Sequence, residues 1–247
     1  MKSPHLGAWL WPDWRPHPRV RVVVTTRIGD ISPPPWQGVN LGLNTGDDPE
    51  RVRAAREKVH AGLATARAPA WLRQVHGTGV VEADDHEPEA DGVWTAQPGR
   101  PCGVLTADCL PVLLARTDGS AVGAFHAGWR GLQAGILNAA VETLAPEGEA
   151  LAAWLGPCIC RRCYQVGKDV YQAFTASDAG AKSAFDADPE PGHWRADLHH
   201  LAHLFLRRLG VTAIECDGHC TVCHNHLLYS HRKEGSTGRF ASLIWLE

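Results

Sequence analysis

The sequence predicts one α+β domain, spanning residues 1–247, in which helices cover a β-sheet. Three observations carry this. Strand-length apolar and β-branched runs recur through the chain. Periodic apolar faces of helical length fall between them. No linker, low-complexity tract or fixed-period repeat divides the chain.

Residues 19–28, R-V-R-V-V-V-T-T-R-I, read as a strand, and a Pro-rich loop follows from Ser32 to Pro35. G-V-N-L-G-L-N-T-G-D-D-P has the Gly, Asn and Asp density of a structured loop. Asp48-Pro49 then opens a helix over about residues 50–64. Residues 70–83 read as two strand segments broken at Gly77 and Gly79. The apolar run 102–116 carries Pro111, which implies an edge, a bulge or a crossover there. A strand over 121–127 stops at Gly128.

From Leu132 the period changes. Leu132, Ile136, Ala140 and Leu144 recur every four residues, which predicts a helix face. A-W-L-G-P reads as a short strand into a turn, and Val166 to Phe174 as a helix. Residues 197–209 form an amphipathic helix capped by Asp197 and stopped by Gly210. Strands over 211–215 and 240–246 close the chain.

Composition narrows the function classes. With 44% hydrophobic and 21% charged residues the chain can build a substantial core. A formal charge of −3 in mixed signs offers no basic face for nucleic acid. No apolar run reaches about 18 residues, so no membrane span is expected. The N-terminal M-K-S-P-H-L-G-A-W-L-W-P-D-W lacks the apolar core of a secretory leader. A cytoplasmic location follows as the expectation, with the eight cysteines as thiols or metal ligands rather than disulfides. A monomer is favoured.

Three segments carry the chemistry: R-Q-V-H-G with His76, T-A-D-C-L-P-V-L-L with Cys109, and F-H-A-G-W-R-G with His126. Each sets one metal-binding donor at the junction of an apolar run and a Gly- or Pro-containing turn. Two imidazoles and a thiolate make three protein ligands, the number that leaves a tetrahedral zinc one open position. Singly, each residue reads equally as core cysteine or hydrogen-bonded histidine. The spacings of 33 and 17 positions mean that only the fold can unite them.

Asp108 is a candidate acid, base or orienting group beside Cys109. The G-W-R-G turn after His126 opens a helix whose N–H groups, with Arg130, make a candidate anion site. Tyr229, Arg232 and Arg239 lie among glycines in L-L-Y-S-H-R-K-E-G-S-T-G-R-F. The arginines are candidates to clamp phosphate and the tyrosine to pack on a ring. The alternative is a polar turn with solvated arginines.

Cys160-x-x-Cys163 and Cys220-x-x-Cys223, with Cys158, Cys216, His224 and His226 nearby, would suit a closed zinc knuckle. The 56 residues between the pairs exceed what a compact zinc ribbon needs, and the alternative is ordinary thiols. His199 and His203 stand at i, i+4 but flank an apolar stripe, so a boundary helix face is the simpler reading. Phosphate-loop, dinucleotide-fold, nucleophile-elbow and cytidine-deaminase signatures are absent.

Together the segments V-N-L-G-L-N-T-G-D-D-P-E-R-V, R-Q-V-H-G, A-D-G-V, T-A-D-C-L-P-V-L-L, H-A-G-W-R-G, L-G-P-C-I, C-Y-Q-V-G, C-T-V-C, Y-S-H-R and T-G-R-F-A-S-L-I-W resemble the laccase-domain family, once called multicopper polyphenol oxidoreductases. The resemblance implies an α/β/α sandwich and a zinc ion, one per chain, on His76, Cys109 and His126. It also implies phosphorolysis of adenosine, inosine, guanosine or methylthioadenosine, with adenosine deamination beside it. The partners are then a purine nucleoside and phosphate. Asp108 and Arg130 become the catalytic candidates, and Asn40, Gln74, Tyr229, Arg232 and Arg239 the substrate-binding ones.

Departures from the family pattern fall at Ala55-Arg56, at Ser230-His231-Arg232-Lys233 and at Cys158-Ile159-Cys160-Arg161. Rival readings are copper-dependent phenol oxidation, a metal-free cysteine hydrolase built on Cys109, and a precursor-editing factor for peptidoglycan. Copper clusters need many closely set imidazoles, and here only His224-x-His226 has that form.

Overall fold

The computed structural model describes residues 9–176 and 178–247. The leader reading above falls partly on residues 1–8, outside that range. The chain runs β1 (Val20–Val24), α1 (Pro49–Leu63), β2 (Val80–Glu82), β3 (Gly92–Thr95), β4 (Cys102–Thr106), β5 (Leu110–Arg116), β6 (Val122–Ala127), α2 (Trp129–Ala134), α3 (Ile136–Leu144), β7 (Leu151–Leu155), β8 (Gln165–Val166), α4 (Lys168–Thr175), β9 (Phe185–Ala187), β10 (Trp194–Ala196), α5 (Leu198–Arg208), β11 (Ala213–Cys216), α6 (His231–Glu234) and β12 (Phe240–Leu246).

Six strands form a mixed sheet in the order β11-β7-β5-β6-β3-β2. Its outer pairs β11/β7 and β2/β3 are parallel and the inner pairs antiparallel. A second, antiparallel sheet runs β1-β12-β4, and a small third sheet runs β8-β10-β9.

Side-chain alternation decides how these layers stack. On β12, Phe240, Ile244 and Leu246 meet Leu113, Val122, Ala124 and Trp154 between the two larger sheets. The alternate residues Ala241, Leu243 and Trp245 meet Ala55, Val59 and Leu63 of α1. On β5, Leu110, Val112 and Leu114 turn the other way, under Ile136, Leu137 and Leu144 of α3 and Leu201 and Leu206 of α5. Helices therefore form both outer layers, as a sandwich requires, and the sheet layer between them is double.

Several sequence expectations change in detail. Asp48 caps α1, accepting the Glu50 N–H at 2.9 Å, and Asp197 caps α5 through the His200 N–H at 2.9 Å. The helix expected from Leu132 to Leu144 is two, because Gly135 takes φ 103° between α2 and α3. The every-fourth-residue pattern runs across that break and hides it. Val166 belongs to β8, and the helix expected from there begins at Lys168. Within 70–83 only Val80–Glu82 is a strand; Ala70 and Arg73 make isolated bridges to Cys102 and Glu89.

Pro111 lies in a strand paired on both sides, opposite His126 of β6, but pairing with β7 begins only at Val112. Its carbonyl still accepts the Gly156 N–H at 2.9 Å, and the Gly156 carbonyl, which proline has no N–H to meet, faces His199 Nε2 at 2.9 Å instead. The crossover reading is the one the structure bears out. β4 belongs to the three-stranded sheet and β5 to the six-stranded one, so the chain changes sheets between Thr106 and Leu110. No helix among the described residues is long and apolar enough to cross a membrane.

Candidate metal centre

Three places in this framework bring the donors together. His76 lies in the loop before β2, Cys109 on the sheet-to-sheet crossover, and His126 near the end of β6. Their donor atoms all lie within 4.8 Å of one another. Cys109 Sγ stands 3.9 Å from His76 Nε2, and the two imidazole rings meet edge to face with centroids 4.7 Å apart. A Cβ added at Gly128 would come 2.9 Å from His76 Cδ2 and 3.1 Å from Cys109 Sγ. The first glycine of G-W-R-G thus gives the ring and the sulfur room to converge.

The organiser of this group is Asp91, which the sequence reading quoted in A-D-G-V without a role. It is fully buried, and its carboxylate accepts the backbone N–H groups of Val75 at 3.2 Å, His76 at 3.0 Å and Gly77 at 2.6 Å. It also lies 2.8 Å from His126 Nδ1. One carboxylate thereby sets the His76 turn, where φ is 61°, and fixes the His126 ring with its other nitrogen turned to Cys109. An acid directly before a strand's first glycine was the available sequence signal.

The electrostatics follow from these contacts. Burial works against the Asp91 charge, but the bonds from His126 and the Gly77 N–H hold its carboxyl below the usual carboxylate range. Burial also opposes the Cys109 thiolate; the His126 charge and the bonds from both imidazoles outweigh it and bring the thiol down to about 6. His126 responds in reverse: burial would lower it, but the Cys109 sulfur and Asp91 raise it to about 9. Without a metal the pair rests as thiolate and imidazolium.

The three donors open on a cavity of about 440 Å³ that Gln74, Arg56, Arg130, Arg239 and His231 also line. Glu87 is the acid among its lining residues, and it is paired to Arg56 at 3.0 Å. The cavity is therefore cationic, and Arg56 joins the residues that sequence reasoning missed. Arg130 is exposed, with its guanidinium 4.5 Å from the Trp129 ring. A larger hollow of about 630 Å³, beside Arg27 and Cys223, includes none of the three donors.

Other candidates serve the scaffold. Asp108 accepts Thr221 Oγ1 at 2.5 Å, Ser230 Oγ at 2.7 Å and the Arg232 N–H at 2.6 Å, the bonding of an orienting group. The Gln74 amide closes on the Leu105 backbone through two 2.8 Å bonds. Two expectations need correcting. Asn40 is fully buried and spends its amide on Thr45, Asp47, Gly42 and Arg239, which locks its own loop. Tyr229 is also fully buried, its hydroxyl donating to the Trp36 and Gln37 carbonyls, so it offers no face to a ligand. Arg232 bonds the Gln165 carbonyl at 2.9 Å and lies outside the cavity lining.

Among the described residues a second group of donors gathers Cys160, Cys163, Cys220 and Cys223. His199 instead faces the Gly156 carbonyl at 2.9 Å.

Residues 21–247 match the family model described as multi-copper polyphenol oxidoreductase laccase. A Pseudomonas aeruginosa protein named purine nucleoside phosphorylase is 46% identical, over 98% of this chain and all of that one. An Escherichia coli K12 protein of the same name is 42% identical, over 95% of this chain and 97% of its own length. Among solved structures, a Neisseria meningitidis protein superposes with a TM-score of 0.91 at 40% identity, covering 97% of this chain and 99% of that one. YlmD from Geobacillus stearothermophilus gives 0.85 at 27% identity, covering 99% and 98%. The chain belongs to the multi-copper polyphenol oxidoreductase laccase family.

Proposed function

We propose that this chain is a zinc-dependent purine nucleoside phosphorylase, working as one domain over residues 1–247 in a reducing cytoplasm. The observation that carries the reading is the convergence of His76, Cys109 and His126 on the wall of a cavity that Arg130 and Arg239 share. Its size falls within the roughly 300–1,000 Å³ of small-molecule sites. The names of the close relatives supply the substrate class, a nucleoside and phosphate.

The donor set fits one zinc ion. Two imidazoles and a thiolate held close together, with a buried carboxylate behind one ring, are ligands that zinc takes readily. Multi-copper chemistry would call for more imidazoles, and the described residues gather just two at this centre. Bound there, zinc would supply Lewis-acid charge to the substrate.

The chain's own groups account for the rest. Arg130 and Arg239, with Arg56 behind them, draw phosphate into the cavity and orient it by charged N–H donors. Phosphate attacks the anomeric carbon as the N-glycosidic bond to the purine breaks. Asp91 and Asp108 keep the ligand loops in place without entering the reaction.

Incubating purified protein with inosine, with and without phosphate, tests this. Hypoxanthine should appear only with phosphate. Adenosine separates the two enzymatic readings, since phosphorolysis yields adenine and deamination yields inosine. Cys109→Ala should lose this zinc and phosphorolysis together; a variant that keeps full activity would sink the site assignment.

A further inference from the structure

We propose that Cys160, Cys163, Cys220 and Cys223 form a second metal site, a closed four-thiolate zinc that braces the segment carrying Cys109. The four sulfurs lie within 4.8 Å of one another, and those of Cys163 and Cys223 are 3.7 Å apart. Four sulfurs held tetrahedrally at about 2.3 Å from a zinc ion stand about 3.8 Å from each other. Four protein ligands leave no open position, so the site is structural rather than catalytic.

The fold builds the site from two matching turns. In the first, the Tyr164 N–H donates to the Cys160 carbonyl at 3.0 Å, and in the second the His224 N–H donates to the Cys220 carbonyl at 2.8 Å. A parallel bridge between Cys158 and Cys220, with the Thr221 N–H on the Cys158 carbonyl at 3.1 Å, lays the turns side by side. The Cys160 N–H then points at Cys220 Sγ from 3.3 Å, which joins the two turns directly. This is how a separation of 56 residues is closed. The neighbouring cysteines stay out: Cys158 is buried against His199, and Cys216 lies outside the group.

A contact ties this cluster to the first centre. Thr221, inside the second turn, donates to Asp108, and the Ile159 N–H before the first turn donates to the Asp108 carbonyl at 3.0 Å. Asp108 directly precedes Cys109. Pinning the two turns together therefore pins the crossover from its outer side.

Metal analysis of protein purified under reducing conditions with zinc supplied is the test. Wild type should hold about two zinc ions per chain, and Cys109→Ala and Cys223→Ser about one each. Cobalt substituted into Cys109→Ala should show the charge-transfer absorption of a four-thiolate site, and Cys223→Ser should lose it. A zinc-free Cys109→Ala protein overturns the proposal. So does a Cys223→Ser protein with the wild-type zinc count, or a Cys163–Cys223 disulfide persisting in reductant. Because each variant removes a different ion, failure of this site reads separately from failure of the first.

Discussion

The two sulfur-containing clusters of this protein reach similar donor spacing by opposite means. At the open centre, donors from three separate parts of the fold are aligned by a buried carboxylate, Asp91, which holds one ligand loop and one ligand ring at once. At the closed cluster the backbone takes that part, and the Asp108 carboxylate bonds the Thr221 hydroxyl of one turn rather than a ligand. Two short turns, each contributing two sulfurs, are laid together by a backbone bridge. In the first, hydrogen bonds to Asp91 set the geometry and the imidazoles favour the charge on the sulfur. The second gathers four like groups and gains most of its cohesion from the ion itself. Catalysis calls for the former and scaffolding tolerates the latter.

Acidity should separate them most widely. Between about pH 6 and 9 the metal-free open centre holds its thiolate and a protonated His126, so binding zinc there releases about one proton. Affinity should rise about tenfold per pH unit across that window, steepen below about 6 where Cys109 is also protonated, and level off above about 9. The closed cluster has more thiol protons to shed and should empty first on acidification. Zinc titrations at stepped pH, on Cys109→Ala and Cys223→Ser, would show this; parallel curves would erase the distinction.

Asp91→Asn attacks one cluster alone. It should weaken zinc at the open centre about 10- to 100-fold, as loss of an orienting carboxylate does, and leave the four-thiol count unchanged. Next in size, Arg239→Met should raise the phosphate KM about tenfold, a cost of about 1.4 kcal/mol, whereas Arg232→Met outside the cavity should leave it near wild type. Smallest is Tyr229→Phe, which removes a hydroxyl bonded to two carbonyls. It should cost about 1 kcal/mol in denaturant unfolding with no change in nucleoside KM. A marked rise in that KM would return Tyr229 to the substrate site.

The three candidate ligands of the open centre were legible because each stands where an apolar run meets a turn, a place that fixes a donor at the edge of an element. Asp91 escaped notice because its role depends on a loop fourteen to sixteen residues earlier and a strand 35 residues later folding around it. Asn40 and Tyr229 misled for a related reason. A polar residue among glycines looks the same in sequence whether it bonds a ligand or locks its own loop. The doubled sheet layer was hidden because β4 and β5 read as one apolar run, and only their pairing partners divide them. The union of the two Cys-x-x-Cys turns likewise needed a bridge that spacing does not announce.

That crossover has a mechanical consequence. Cys109 sits on the short span where the chain steps from one slab of strands to the other, so a slide of the slabs moves the sulfur before it ruptures a ladder in either. Warming or compression should then silence turnover while circular dichroism still reports intact strands. The enzyme would fail as a lock does when door and frame shift, with both still whole.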